Sequence, residues 1–178
     1  MSQFMSLADA VEANVRDGDA VAMEGFTHLI PHAAGHEVIR QRRRRLTLIR
    51  MTPDLIYDQL IGMGCVDKVV FSWCGNPGVG SLHRMRDAIE NGWPQPLAYE
   101  EHSHAAMANA YEAGAAGLPF AVFRGYIGVD LPKVNTNIRT VMRFEAADPS
   151  VDWLNRIIAI ARGARDKNAV RLDVFEVL

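Results

Sequence analysis

Apolar positions along the chain follow two alternating rhythms. Leu7, Ala10, Val11 and Val15 recur at helical spacing, whereas Ala20, Val21, Ala22 and Met23 form a short unbroken run. The first rhythm predicts a helix capped by Ser6, with Asp9 completing a box-like start and Gly18 closing the far end. The second predicts a short buried strand against which that helix docks. The run breaks at Gly25, and a second helix starts after Pro31. Ala33 and Ala34 fill its first turn, and Val38 and Ile39 pack it back on the sheet.

The cycle then repeats. Residues 46–51 read as a strand, followed by a helix with Thr52 as cap, Pro53 at its first position and Leu55, Ile56, Leu60 and Met63 at helical spacing. Residues 68–73 form a third strand, ending in the glycine-bearing loop 74–80. A helix from about residue 81 to 90 carries Leu82, Met85, Ala88 and Ile89 on one face. After the rigid turn Trp93-Pro-Gln-Pro96, residues 97–101 predict a fourth strand, and Ser103 and Gly114 bracket a further helix. Residues 118–123 resemble another buried strand, followed by a loop with Arg124, Gly125, Tyr126 and Gly128.

Connections too long for hairpins imply parallel strands with helices on both faces, hence an α/β class with a three-layer α/β/α architecture and a mainly parallel sheet. Ligands of such sheets bind at the carboxyl ends of the strands. Both glycine-bearing breaks, at Gly25 and at residues 75–80, fall on that edge.

Composition narrows the classes. The 178 residues, 49% hydrophobic, can bury one domain's core, and 19 basic against 21 acidic residues give no global case for nucleic acid or an acidic membrane. The four arginines at 42–45 are expected at the solvated end of a helix, with phosphate binding as the alternative. Cys65 and Cys74 are too few for a disulfide framework and are expected as reduced core thiols. No cationic start precedes an apolar segment, so a soluble cytoplasmic protein is expected.

Gly25 allows a backbone that a side chain forbids, so a ligand can approach the main chain. The free N–H groups of the turn before the next helix suit an anion or a developing oxyanion. The bland alternative is that a strand-to-helix turn simply needs a glycine. The loop at 75–80 spells G-x-x-G-x-G, which does not match the dinucleotide fingerprint. His28, His32 and His36 are spaced by four, but Pro31 and Gly35 interrupt a common helix, so no metal site is expected. Phe71 and Trp73 are expected in the core.

The block DGDAVAMEGFTHLIP resembles the N-terminal signature of the alpha (A) subunit of family I coenzyme A transferases, particularly the glutaconate and 3-oxoadipate type. That family carries Gly-Gly-Phe, and Glu24 stands where the first glycine would be. The segments MTPDLIYDQLIGMG, GNPGVGSLHR, EEHSHAAMANAYEAGAAGLPF and LPKVN resemble the same subfamily in the same order, to about Val141. This implies a family-like domain over residues 1–141 and a divergent tail over 142–178. In the tail, Val151, Leu154, Ile157 and Ile158 suit a helix, and Val170, Leu172 and Val174 suit a strand.

The resemblance implies covalent chemistry. A glutamate on the beta chain attacks the acyl-CoA, giving an acyl-glutamyl anhydride and then a glutamyl-CoA thioester, from which coenzyme A passes to the second carboxylate. The alpha chain is then the opposite wall of the site, and a beta subunit is its partner in a heterodimer or heterotetramer. Coenzyme A thioester is a substrate, and no permanently bound cofactor is expected. Backbone donors at Gly25 and Phe26 would face the thioester oxygen, and Glu24, Thr27, His28, Asn76, Gly78 and Gly80 would border substrate or coenzyme A. Glu101 matches a glutamate used as acid/base by ring-cleaving CoA-thioester hydrolases of the same fold. The alternatives are a hydrolase subunit relying on Glu101, or a truncated inactive subunit that only binds.

Overall fold

The computed structural model describes residues 4–25, 29–75, 80–141 and 172–176. The chain divides into two compact units, Met1–Ala108 and Asn109–Leu178. The expected tail helix at Val151 to Ile158 lies outside the described residues.

The first unit alternates helix and strand: α1 (Leu7–Asn14), β1 (Ala20–Ala22), α2 (His32–Arg40), β2 (Leu46–Ile49), α3 (Leu55–Gly62), β3 (Val66–Phe71), α4 (His83–Glu90) and β4 (Ala98–Glu101). The strands form a parallel sheet in sequential order β1-β2-β3-β4, with Ala22 opposite Ile49, Ile49 opposite Val70, and Phe71 opposite Glu101. This is the α/β class that the strand-loop-helix succession predicts. Leu48 and Val69 on one face of the two central strands, and Ile49 and Val70 on the other, are all buried, so both faces are covered. Ile56, Tyr57, Leu60 and Ile61 of α3 are buried in the core with Leu46 and Leu48, each such aliphatic side chain contributing about 1.5–3 kcal/mol.

Several element boundaries differ from those the sequence predicts, each for a local reason. Ser6 caps α1 as expected, its hydroxyl accepting the Asp9 N–H at 3.1 Å. α3 is capped by Asp54 rather than Thr52: the Asp54 carboxylate accepts the Ile56 N–H at 3.3 Å and sits at the positive helix end, leaving Pro53 outside. α3 closes on Gly64, whose φ of 67° lets Gly64 N–H reach the Ile61 carbonyl and Cys65 N–H the Leu60 carbonyl. That tight exit starts β3 at Val66, two residues early. The arginines at 42–45 form the turn into β2 rather than the last turn of α2: Arg42 and Arg45 take positive φ, and the Arg44 N–H binds the Asp17 carboxylate. The run therefore sits at the amino edge of the sheet, opposite the strand ends where ligands bind.

α5 (His104–Ala115) runs through Gly114 and ends at Gly117, which supplies the positive φ. In the second unit, β5 (Phe120–Phe123), α6 (Leu131–Val134), β6 (Ile138–Val141) and β7 (Leu172–Glu176) follow. The strand expected in the tail is present as β7, which pairs antiparallel with both β5 and β6 as the middle strand of three.

Gly35 on α2 lies against Ile56 of α3, and a Cβ there would collide with the Ile56 side chain. Gly35→Ala should therefore lower the free energy of unfolding by about 1–3 kcal/mol through overpacking, despite alanine's better helix propensity. Adding Ile56→Val should recover part of that loss in urea unfolding. A Gly35→Ala protein as stable as wild type would show that the helices separate freely.

Candidate active site

In a parallel sheet the last carbonyls and N–H groups of every strand emerge on one edge, and here polar side chains tie those ends together. β1 leads into Met23, Glu24 and Gly25; β2 into Arg50 and Met51; β3 into residues 72–75; and β4 into Glu101, His102 and the start of α5.

Arg50 is the centre of one half. It is 1% exposed, donates a hydrogen bond from Nη2 to the Gly25 carbonyl, and places Nη1 3.1 Å from Asp54 Oδ2. Its Nε lies 3.9 Å from Glu24 Oε2, and Glu24 Oε1 accepts the Met51 N–H at 3.0 Å. The guanidinium sits 5.7 Å from the centre of the Tyr57 ring. The Tyr57 hydroxyl donates to the Ile49 carbonyl at 2.8 Å and accepts the Met23 N–H at 3.2 Å. Burial pushes the Tyr57 phenol well above its ordinary range, so it stays a neutral donor.

Met51 carries the network onward. Its carbonyl accepts three hydrogen bonds, from the N–H groups of Ser72 and Trp73 at 3.1 Å and from Ser72 Oγ at 2.6 Å. Ser72 Oγ is in turn 2.8 Å from Nδ1 of His104, the first residue of α5. Glu24, Met51, Ser72 and His104 thus form one polar chain across the ends of all four strands.

Gly25 and Gly75, just past β1 and β3, share an unusual backbone, with φ of 154° and 153°. A Cβ at Gly25 would strike the Leu29 carbonyl, and one at Gly75 would lie 2.7 Å from the Trp73 indole. Both glycines are therefore required by close approach as well as by φ.

Of the residues singled out from sequence, Glu24 and Gly25 enter this network. Glu101 is exposed at the end of β4, and its negative charge acts on Cys74, whose thiol is raised first by partial burial and then by that charge. Gly80, with φ of 88°, is exposed ahead of α4. Phe26, Thr27, His28, Asn76 and Gly78 lie outside the described residues. Cys74 and Trp73 are exposed rather than in the core, because β3 ends at Phe71 and both follow it into the edge loop; Cys65 and Phe71 are buried as expected. His36 Nε2 bonds Gln59 of α3 at 2.8 Å, and His32 is 6.2 Å from His36. Among the described residues, no group of three His, Cys, Asp or Glu side chains could hold a metal ion.

Arg50, Asp54, Ser72 and the Glu100 cluster were not singled out from sequence. The signal for Arg50 was a lone cation ending the apolar run LTLI, where only a paired charge can be buried. Glu100 is buried beside the edge, with Lys68 Nζ at 2.6 Å and His102 Nε2 at 2.8 Å.

Burial would raise the Glu100 carboxyl, but the hydrogen bonds from His102 and Lys68 outweigh it and hold it at about 2. The stability contributed by its ionised form is present above its ordinary value of 4.5 and is lost as pH falls through about 2. Glu100→Gln should lower stability at neutral pH and flatten the acid limb, so that wild-type and variant urea midpoints converge near pH 2. Midpoints that remained equally far apart down to that pH would show that the carboxylate is not held ionised by its partners.

Comparison with known proteins gives the family of the chain. Residues 4–148 match the family described as Coenzyme A transferase, and residues 120–177 match one described as a protein of unknown function (DUF3237). The chain is 64% identical over 141 residues to the alpha (A) subunit of 3-oxoadipate CoA-transferase of Pseudomonas knackmussii, covering 79% of this chain and 50% of that one. It is 35% identical over 122 residues to the alpha (A) subunit of glutaconate CoA-transferase of Acidaminococcus fermentans, covering 67% of this chain and 37% of that one. The chain thus spans half or less of the length of these relatives. Its fold matches the crystal structure of glutaconate coenzyme A-transferase from Acidaminococcus fermentans with a TM-score of 0.76 at 23% identity, over 97% of this chain and 52% of that one. A variant of the decarboxylase AibA/AibB matches with a TM-score of 0.72 at 23% identity, over 99% of this chain and 58% of that one. These share the fold. With the family match covering most of its length, the chain belongs to the coenzyme A transferase family.

Proposed function

We propose that this chain is the alpha-type subunit of a CoA transferase that moves coenzyme A from an acyl-CoA donor to a short dicarboxylic or 3-oxo acid, with the nucleophilic glutamate supplied by a beta subunit. The observation that carries this reading is the 64% identity to the alpha (A) subunit of a 3-oxoadipate CoA-transferase, which runs over 141 residues. Residues 1–141 hold the family-like part in this reading, and residues 142–178 stand where such subunits continue differently.

The chemistry divides between the chains. The partner's carboxylate attacks the thioester carbonyl, the C–S bond breaks, and coenzyme A leaves as a thiolate. The thiolate then attacks the glutamyl carbonyl of the resulting acyl-glutamyl anhydride, expelling the donor's carboxylate and leaving a glutamyl-CoA thioester, from which the incoming acid takes coenzyme A by the reverse of these steps. This chain supplies the facing wall. Backbone N–H groups at Gly25 and Phe26 donate to the thioester oxygen as it becomes an oxyanion, each contributing about 3 kcal/mol when preorganised. Arg50 supports this role by gripping the Gly25 carbonyl, which fixes the plane of that peptide. Glu24, Thr27 and His28 after β1, and Asn76, Gly78 and Gly80 after β3, border the substrates. Exclusion of water favours exchange over hydrolysis.

The exposed position of Glu101 at the end of β4 supports a second reading, a CoA-thioester hydrolase subunit with Glu101 as acid/base. Co-expression with the adjacent reading frame, followed by thioester exchange on the complex, separates the two. The transferase reading expects a stable hetero-oligomer whose exchange is lost when the partner's nucleophilic glutamate becomes alanine, and in which Glu101→Gln costs less than about tenfold. Hydrolysis without exchange, falling about 10²- to 10⁴-fold in Glu101→Gln, would replace it with the hydrolase reading. A chain that forms no complex and turns over nothing would overturn both.

A further inference from the structure

We propose that His104 is a substrate-contacting residue, whose Nε2 hydrogen-bonds the carboxylate of the acid substrate, and that Ser72 is the positioning residue that aims it. This deepens the transferase reading and rests on it.

The argument starts from a proton count. Ser72 Oγ carries one hydrogen. The Met51 carbonyl, 2.6 Å away, can only accept, so that hydrogen is committed there. The 2.8 Å contact between Ser72 Oγ and His104 Nδ1 then requires the hydrogen on Nδ1. The same bond holds whether the ring is neutral or protonated, so the imidazole keeps one orientation in both states. Only Nε2 changes, from a lone-pair acceptor to an N–H donor.

Nε2 has no hydrogen-bond partner among the described residues, and His104 is exposed. A side chain serving only to tie α5 to the end of β3 needs Nδ1 and nothing else. Here the ring is anchored at one nitrogen, open at the other, and set on the strand-end edge beside Ser72, where the polar chain from Glu24 ends. A protonated ring there gives a carboxylate a charge-assisted hydrogen bond, and because the anchor already fixes the rotamer, little side-chain entropy is lost when the acid binds.

The charges of the neighbouring cations are already engaged. Arg50 faces Asp54 and the Gly25 carbonyl, and Lys68 faces Glu100. An incoming acid would therefore meet the outward nitrogen of His104 rather than either of those side chains.

Two substitutions split the ring's functions. In His104→Asn the amide nitrogen replaces Nδ1 and keeps the bond to Ser72 but loses Nε2; in His104→Gln the amide reaches the Nε2 position and loses the anchor. On the complex with the beta chain, His104→Asn should raise KM for 3-oxoadipate at least about tenfold, with KM for the acyl-CoA donor unchanged. His104→Gln should restore part of that loss, and Ser72→Ala should show a smaller rise confined to the acid. Equal thermal midpoints of the complexes establish that each variant folds. Wild-type KM in His104→Asn, or equal rises for both substrates, would overturn the proposal.

A readout independent of turnover keeps this apart from the transferase reading itself. In the ¹⁵N-histidine-labelled complex, the Nε2 resonance assigned by its absence from His104→Asn should move on titration with 3-oxoadipate, while Nδ1 stays protonated. An unmoved Nε2 resonance would overturn the role of His104 even in an active transferase. A shift in a complex without exchange activity would keep the role of His104 as a carboxylate contact and overturn the transferase reading.

Discussion

The buried guanidinium of Arg50 is the constraint around which the strand-end edge is built. An ion at 1% exposure costs several kcal/mol to desolvate, and that cost is tolerable only where opposite charge and acceptors surround it. Asp54 supplies the charge, the Gly25 carbonyl an acceptor, Glu24 a second carboxylate nearby and the Tyr57 ring a face. Each of these has a second duty set by the same need. Asp54 caps α3, so the helix starts where the ion pair requires it. Gly25 takes a φ that only glycine adopts readily, and so presents its carbonyl to the cation.

The Met51 carbonyl plays the corresponding part for the rest of the edge. Three donors converge on it from the first residues after β3, while the Met51 N–H is held by Glu24 from beyond β1. Adjacent parallel strands share only slanted ladder bonds, which end with the strands. The side-chain and loop bonds continue the cross-strand connection one step beyond the ladder. The result is a floor of linked polar groups along the strand ends, with His104 exposed beside it. A fixed wall of this kind gives an incoming group one geometry to meet.

The strands and helices of the first unit were legible because each uses its own period, and a short buried parallel strand is a run of apolar residues whatever its neighbours. The choice of the carboxyl edge as the candidate site followed from the class of sheet. What could not be read were features decided by tertiary partners. Thr52 before Pro53 and Asp54 are both cap candidates by residue type, and the observed start at Asp54 goes with its ion pair to Arg50. Gly114 and Gly117 look alike in sequence, yet only Gly117 meets the positive φ at which α5 stops. Cys74 and Trp73 continue an apolar run past Phe71, where the ladder with β4 ends, so periodicity carried them into a core that they do not join. The four arginines lost their candidacy for a ligand through topology, since residues that precede β2 emerge at its amino end. Ser72 and His104 belong together through a contact across 32 positions, which no local pattern encodes.

In the second unit a strand distant in sequence completes the sheet. β5 and β6 lie where the two family matches overlap, and β7 lies in the part matched by the second family alone, so that second match spans all three strands. β7 is nonetheless the middle strand, opposing Val122 of β5 and Arg139 of β6 with the same residue, Val174. Strand pairing is made by backbone groups, and its register asks only for extended residues of the right length. β7 satisfies the facing edges of β5 and β6, which would otherwise present unpaired N–H and C=O groups to solvent. The last described strand and the two that precede it are in this way parts of one hydrogen-bonded sheet, so removing β7 would strip the middle strand from a sheet whose other two strands do not pair with each other.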